Sequence, residues 1–255
     1  MKLITVAVSD IGISRKVNQD SVYSNARMIK NTEVAFSVVC DGMGGLSEGE
    51  VASASVVNAF STWFNTVFPQ ICEDEIDFEE LKLQWSKIVY EQNKYLMDYG
   101  VSKNIRLGTT LTALLIVDGK YYGVHVGDSR IYEISDRVYQ ITNDHTLVAR
   151  DVRLGNLTPE QARKDPRQNI LLQCIGASDA VEPDFLYGNA EKDTVYLLCS
   201  DGFRHVISDD EIYSNLNCFQ LVSEDEMIKK ANYLIDLNKS RMEKDNISAI
   251  LIRTF

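Results

Sequence analysis

Two short turns lie between apolar, strand-like runs in the middle of the chain, and they restrict how the strands can pair. Asp118-Gly119 and Asp136-Arg137 each separate two runs rich in Val, Ile, Leu, Thr and Tyr. Asp-Gly favours a tight hairpin turn. A parallel crossover needs a dozen or more residues, so these links predict antiparallel pairing. The predicted strands cover 2–8, 33–40, 108–118, 121–126, 130–134, 137–142, 193–199 and 247–253.

Three longer segments show the three-or-four spacing of apolar residues that is typical of amphipathic helices. They are 48–67, 78–99 and 224–238. Consecutive helices followed by hairpins indicate an α+β layered fold. The charged stretch 144–170 contains Thr158-Pro159-Glu160-Gln161, which is typical of a capped helix start. We interpret that stretch as a flap subdomain on a single domain that covers 1–255.

The acidic composition limits the classes of partner. A formal net charge of −11 argues against nucleic acid, whose phosphates select basic surfaces. The longest apolar stretches, such as Leu111–Val117, are too short to cross a membrane, and the N-terminus lacks a signal peptide pattern. We therefore expect a cytoplasmic protein without membrane contact. Of the five cysteines, Cys40, Cys174 and Cys199 lie in or beside apolar segments, which favours buried free thiols.

Four distant segments each place an Asp beside Gly or Asn at the end of an apolar run. They are Asn18-Gln19-Asp20, Asp41-Gly42-Met43-Gly44-Gly45, Ser200-Asp201-Gly202 and Asp245-Asn246. A single Asp-Gly pair is most often a turn. Several glycines after a buried strand, however, allow backbone to approach a ligand closely. If the fold brings these segments together, their oxygens would suit Mg²⁺ or Mn²⁺.

In this order, the motifs resemble those of the protein phosphatase type 2C family, the metal-dependent serine/threonine phosphatases, with the bacterial-type catalytic domain as the best match. The resemblance covers the chain from Val6 to Arg253. It also includes Gly49-Glu50-Val51-Ala52, Gly108-Thr109-Thr110, Val126-Gly127-Asp128-Ser129-Arg130 and Asp144-His145. It implies a four-layer α-β-β-α sandwich in which two antiparallel sheets are flanked by helices.

The resemblance also implies a role for each matching residue. Asp20, Asp41, Asp201, Asp245 and the carbonyl of Gly42 would hold two Mn²⁺ or Mg²⁺ ions. Asp128, together with Asp201, would hold a third, weaker ion. Arg15 would bind the substrate phosphate, since a guanidinium matches phosphate oxygens bidentately.

The chain departs from the family pattern in three places. Gln19 stands where many members have Glu. Met43 and Leu46 occupy the region where many have a His, so the proton donor to the leaving oxygen is unassigned. The flap has Asp165-Pro166-Arg167 in place of a His-Pro segment. The three histidines, His125, His145 and His205, are too scattered for a His-rich zinc site.

The implied function is hydrolysis of phosphoserine or phosphothreonine in proteins. A hydroxide that bridges the two ions would attack phosphorus in line with the leaving oxygen. The expected partners are phosphorylated proteins, including a serine/threonine kinase, and we expect a monomer. Two alternatives stay open: a pseudophosphatase-like module that binds phosphoproteins or regulates a kinase, and a hydrolase for small phosphate esters.

Overall fold

A computed structural model describes residues 1–44, 48–72 and 76–255, and these form eleven strands and eight helices. The strands are β1 (Leu3–Asp10), β2 (Asp20–Ile29), β3 (Thr32–Gly44), β4 (Leu107–Thr109), β5 (Leu111–Val117), β6 (Lys120–Val126), β7 (Arg130–Ile134), β8 (Val138–Gln140), β9 (Asp184–Asn189), β10 (Val195–Cys199) and β11 (Ile247–Thr254). The helices are α1 (Gly49–Thr66), α2 (Phe68–Ile71), α3 (Phe78–Lys103), α4 (Leu147–Arg153), α5 (Pro159–Ala162), α6 (Asp201–Arg204), α7 (Asp209–Leu216) and α8 (Glu224–Ser240).

The strands form two antiparallel sheets. One sheet has the order β1-β11-β10-β7-β8, and the other has β2-β3-β5-β6-β9 with β4 paired to β3. Both predicted hairpins are confirmed. Asp118 and Gly119 have positive φ values of 50° and 70°, as a tight hairpin turn between β5 and β6 requires. β7 pairs with β8 around Asp136.

Three apolar layers hold the sheets and helices together. Phe36 and Leu115 of one sheet pack with Phe60 and Trp85 of α1 and α3. Leu114, Tyr196 and Ile250 belong to the layer between the two sheets. Leu251 packs with α8 on the far side of the other sheet. Full burial of such side chains stabilises the fold by roughly 1.5–3 kcal/mol each. The layers confirm the four-layer α-β-β-α sandwich.

Two strands were not predicted. β2 contains Ser24, Asn25 and Arg27, and most of its residues are only half-buried, so its apolar pattern is weak. β9 is an edge strand that ends in Gly188-Asn189. The predicted strand 108–118 is interrupted at Thr110, with β4 before it and β5 after it. The three long helices are confirmed as α1, α3 and α8, and the short helices α2, α6 and α7 were not predicted.

The segment 144–170 contains α4 and α5, and its two ends are tied together. Thr146 pairs with Leu171, and the Leu147 amide donates to the Ile170 carbonyl at 2.9 Å. The predicted capping box is present, with reciprocal bonds between Thr158 and Gln161. Cys40, Cys174 and Cys199 are buried free thiols, as expected. Within the described ranges, every helix is too short or too polar to cross a bilayer.

Candidate metal centre

Asp20 and Asp41 face each other across neighbouring strands. They are paired residues in the antiparallel register of β2 and β3, so their side chains project from the same face. The Ser200 hydroxyl donates to Asp20 Oδ2 at 2.9 Å. Because Ser200 follows β10 in the other sheet, this bond joins strand ends of the two sheets at the site.

The backbone around Asp41 is fixed by hydrogen bonds and by a close approach. The Asp41 amide donates to Thr110 Oγ1 at 2.8 Å, and the Thr110 amide donates to the Asp41 carbonyl at 2.9 Å. Gly42 lies so close to other backbone that a Cβ there would be 2.1 Å from the Gly49 carbonyl oxygen. This close approach to the Gly49 backbone explains why glycine follows Asp41, whereas the motif predicted an approach to a ligand.

Asn246 holds the Asp20 segment and the Asp201 segment together. Its Oδ1 accepts from the Gln19 amide at 2.9 Å, and its Nδ2 donates to the Ile11 carbonyl at 2.9 Å. Gly202 packs against the same turn, where a Cβ would lie 2.2 Å from the Asn246 carbonyl oxygen. Asp201 opens α6 directly before this glycine. The Asp-Asn turn before β11 therefore fixes the relative positions of the Asp20 and Asp201 segments.

Arg15 binds Asp245 with both ends of its guanidinium. Arg15 Nε donates to Asp245 Oδ1 at 3.0 Å, and Arg15 Nη2 donates to Oδ2 at 2.7 Å. This bond raises the pKa of Arg15, and the charges of Asp41 and Asp201 raise it further. Arg15 therefore lies within electrostatic reach of three of the four carboxylates. The structure brings all four Asp segments to one place.

Burial and mutual repulsion raise the pKa values of the clustered carboxyls. Burial, with a contribution from the charge of Asp201, raises the pKa of Asp20 to about 7. Burial and the charge of Asp20 raise the pKa of Asp41 well above its usual range. Desolvation and like charges both disfavour the ionised form. A divalent cation would reverse both effects.

The donor set suits a hard divalent ion. Asp201 Oδ1 is buried and has no hydrogen-bond partner in the described ranges, which leaves an oxygen available to a cation. Among residues 1–44, 48–72 and 76–255, no three His, Cys, Asp or Glu side chains are already arranged to hold an ion. Asp245 is paired with Arg15 instead. Carboxylate and carbonyl oxygens are the ligands that Mg²⁺ and Mn²⁺ prefer, so the residues fit such ions.

Asp128 lies at the same site, next to Arg204. Burial and the charge of Asp201 raise the pKa of Asp128 to about 7, while Arg204 opposes this rise. Arg204 Nη2 donates to the main-chain carbonyl of Asp128 at 3.0 Å. Nearby, Arg130 binds Asp144 bidentately at 2.8 and 2.7 Å. Sequence reasoning gave Arg204 no role, although it follows Asp201 by about one helical turn.

His205 is a second residue whose place was not predicted. Its Nε2 lies 3.3 Å from Asp201 Oδ2, and its Nδ1 lies 3.4 Å from Glu243 Oε2. Although burial opposes it, the hydrogen bond to Glu243 raises the pKa of His205. Spacing gives the only sequence signal, since His205 follows Asp201 by four residues and α6 places the two side chains on one face.

Comparison with known proteins identifies the family. The family model described as Protein phosphatase 2C matches residues 13–238. The chain belongs to the protein phosphatase 2C family. Protein phosphatase PhpP of Streptococcus pneumoniae serotype 2 is 32% identical over 249 residues, which are 96% of this chain and 95% of the relative.

Solved structures of the phosphatase 2C family share the fold. A serine/threonine phosphatase from S. agalactiae has a TM-score of 0.85 at 29% identity, with 100% of both chains covered. The catalytic domain of the serine/threonine phosphatase PstP has a TM-score of 0.80 at 31% identity, covering 98% of this chain and 97% of that one. That structure is a complex with two manganese ions.

The structure shows the positions of most residues that depart from the phosphatase 2C pattern. Gln19 Nε2 lies 3.4 Å from Glu50 Oε2, and the main-chain carbonyl of Gln19 accepts from the Gly42 amide at 3.1 Å. Met43 lies in β3. Gly45 and Leu46 lie outside the described residues. In the flap, Arg167 binds Asp165 at 3.0 and 2.7 Å.

The other two histidines contact the flap entry. His125 Nε2 lies 3.1 Å from the Asn143 carbonyl oxygen, and burial lowers the pKa of His125 to about 4. His145 Nδ1 accepts from the Gly127 amide at 3.2 Å, and its Nε2 lies 3.1 Å from Asp184 Oδ2. Both imidazole rings therefore hold main-chain groups beside the flap entry in place.

Proposed function

We propose that this phosphatase 2C protein hydrolyses phosphoserine and phosphothreonine in proteins, with Mn²⁺ or Mg²⁺ as cofactor. The observation that carries the proposal is the convergence of Asp20, Asp41, Asp201 and Asp245 beside Arg15, from segments up to 230 residues apart. The relatives that are serine/threonine phosphatases support it, and so does the relative that binds two manganese ions.

In this proposal the four aspartates and the Gly42 carbonyl would hold two ions. When bound, such ions activate a water for in-line attack on phosphorus and neutralise charge on the phosphoryl oxygens. The protein supplies rigid positions for the ligands. Asp20 and Asp41 are paired residues of β2 and β3. A hydrogen bond from the Ser200 hydroxyl holds Asp20, and a hydrogen bond from the Asp41 amide to Thr110 holds Asp41.

Arg15 would bind the phosphoryl group. Its side chain is 48% exposed, and it lies at the carboxylate cluster, so a substrate can reach it. A guanidinium donates two parallel hydrogen bonds to phosphate oxygens, as it now does to Asp245. It would orient the phosphorus toward the cluster and stabilise the charge that develops on the equatorial oxygens.

The remaining expectations are part of the same proposal. Asp128 would serve a third, weaker ion site together with Asp201. Residues 1–255 would act as one catalytic domain with 144–170 as its flap. The physiological partners would be phosphorylated proteins, including a serine/threonine kinase, and the protein would act as a monomer in the cytoplasm.

Phosphate release from a phosphothreonine peptide and from p-nitrophenyl phosphate, each with and without Mn²⁺, tests the proposal. We expect Mn²⁺-dependent turnover, with the larger kcat/KM for the peptide. Turnover of the small ester alone would favour a hydrolase for small phosphate esters. Peptide binding without turnover in the folded, Mn²⁺-loaded protein would favour a phosphoprotein-binding module.

A further inference from the structure

Arg204 occupies a fixed position between two buried carboxylates. Its Nη2 lies 3.9 Å from Asp128 Oδ2 and 3.6 Å from Asp144 Oδ2. The same nitrogen donates to the Asp128 carbonyl at 3.0 Å, and the side chain is only 14% exposed. Arg204 Nε is buried without a hydrogen-bond partner in the described part of the chain. The guanidinium is therefore held inside the site rather than in solvent.

Asp144 does not depend on this guanidinium, because Arg130 already neutralises it. Arg130 donates to both carboxylate oxygens of Asp144, and Gln140 Nε2 donates to Oδ1 at 3.1 Å. Within residues 1–44, 48–72 and 76–255, the ion pair of Asp128 is with Arg204. Among the described residues, Arg204 is thus the cation that pairs with Asp128, and the charge of His205 makes a smaller contribution.

Arg204 also differs from Arg15 in how easily it can move. Arg15 is half exposed and, in the described part of the chain, is held through side-chain atoms of Asp245, so an ion at Asp245 can displace it into solvent. Arg204 is buried and bonded to main chain. A guanidinium keeps its charge at every accessible pH. A divalent ion at Asp128 would have to share the carboxylate with a positive charge that stays in place.

We infer, on the basis of the proposed two-ion function, that Arg204 is a built-in cation at Asp128 that weakens binding of a third divalent ion. Arg204 Nη2 lies 3.9 Å from Asp128 Oδ2, so it would repel a divalent ion bound to that carboxylate. This repulsion in a partly buried site predicts at least about a tenfold loss of affinity, on the order of what a charge pair near a protein surface contributes. The chain would then work with two ions, and the third, weaker site at Asp128 and Asp201 would fill only at high metal concentration.

Counting bound Mn²⁺ by electron paramagnetic resonance during titration of the metal-free protein tests this inference without measuring activity. The variant is Arg204→Gln, which removes the charge and keeps a donor for the Asp128 carbonyl. Arg204→Met is a second neutral variant, in case Gln does not fold. Arg204→Lys retains a cation. Arg241→Met is the matched control, since Arg241 is an exposed arginine that pairs with Glu211.

We expect two bound ions in the wild type, in Arg204→Lys and in Arg241→Met. A folded neutral variant should bind a third ion, at least about tenfold more tightly than any third ion in the wild type. Adding Asp128→Asn to the neutral variant should remove that third ion. Three ions bound with similar affinity in the wild type would overturn the inference without any variant, as would two ions in the folded neutral variants. A wild type that binds no Mn²⁺ would overturn the two-ion function itself.

Discussion

Arg15 and Asp245, 230 residues apart, are joined by two hydrogen bonds of 3.0 and 2.7 Å. The proposed phosphate-binding residue therefore neutralises a proposed metal ligand. An ion at Asp245 would compete with Arg15 for the same oxygens and would release the guanidinium toward substrate. The ion pair thus links metal binding to phosphate binding.

This link predicts that Asp245→Asn binds inorganic phosphate more tightly than the wild type when metal is absent, because Arg15 loses its partner. The pair is partly exposed, so we expect a gain of about 1 kcal/mol or less, up to roughly fivefold in affinity. Isothermal titration calorimetry with chelator present gives the measurement. Asp193→Asn, which breaks the remote pair with Arg253, is the control and should change nothing. Equal phosphate affinity in all three proteins would contradict the link.

Metal binding should stabilise the protein more at alkaline than at acidic pH. The pKa of Asp20 is about 7 in the folded metal-free protein and 3.8 in the unfolded chain. Between these two pH values the folded protein therefore holds a proton on Asp20 that the unfolded chain has released. This contribution to stability is present at low pH and is lost as pH rises through about 7. Ions bind the ionised carboxylates and remove the repulsion.

We therefore expect the rise in Tm on adding Mg²⁺ to be several degrees larger at about pH 8 than at about pH 6. Differential scanning calorimetry checks it. Asp41→Asn should show a smaller rise at both pH values, because a ligand is lost. A pH-independent rise in the wild type would contradict the account.

Gly42→Ala should destabilise the protein more than Gly119→Ala. A Cβ at Gly42 would lie 2.1 Å from the Gly49 carbonyl oxygen, and backbone cannot move aside cheaply. Gly119 has a φ of 70° but nothing within 4 Å, so alanine there meets only backbone strain. We expect a loss of about 1–2 kcal/mol at Gly119 and roughly 3 kcal/mol or more at Gly42. Urea unfolding measures both, and equal losses would show that the close approach at Gly42 is relaxed.

His125 should stay neutral at pH values where an exposed histidine is charged. Burial and the neighbouring His145 lower the pKa of His125 to about 4, against 6.5 for the unfolded chain. Its contribution to stability is present above 6.5 and is lost as pH falls through about 4, roughly 3 kcal/mol in all.

Histidine ring resonances in an NMR titration report this directly. We expect one ring to titrate near 4, and the His205 ring to titrate above its ordinary value, because Glu243 stabilises its charged form. A His125 ring that titrates near 6.5 would show that the residue is solvated.

The sequence indicated which carboxylates lie close together better than it indicated the contacts between them. Asp41, Asp201 and Asp245 stand directly beside glycine or asparagine, and Asn18 lies two residues before Asp20, which is a local signal. Their proximity depends on the register of β2 against β3, and β2 was missed because its polar residues hide the strand pattern.

The pairs that complete the site have no local signal of their own. Arg15 meets Asp245, and Ser200 meets Asp20, only because distant segments converge where strands of the two sheets begin or end. Arg204 and His205 follow Asp201 within about a turn of helix, but α6 is four residues long and lacks a recognisable period. Hairpins and amphipathic helices were predictable because their signals lie within a few residues.

The most direct test of the central claim is Mn²⁺-dependent phosphate release from a phosphothreonine peptide by wild type and Asp201→Asn. Asp209→Asn, in the exposed first turn of α7, is the matched control. Loss of an outer partner of a metal ligand costs about 10–100-fold, so loss of the ligand charge itself should cost at least about 100-fold. We predict that activity needs the metal, collapses in Asp201→Asn and persists in Asp209→Asn. Wild-type activity that survives chelation, or Asp201→Asn activity equal to wild type, would contradict the carboxylate metal centre.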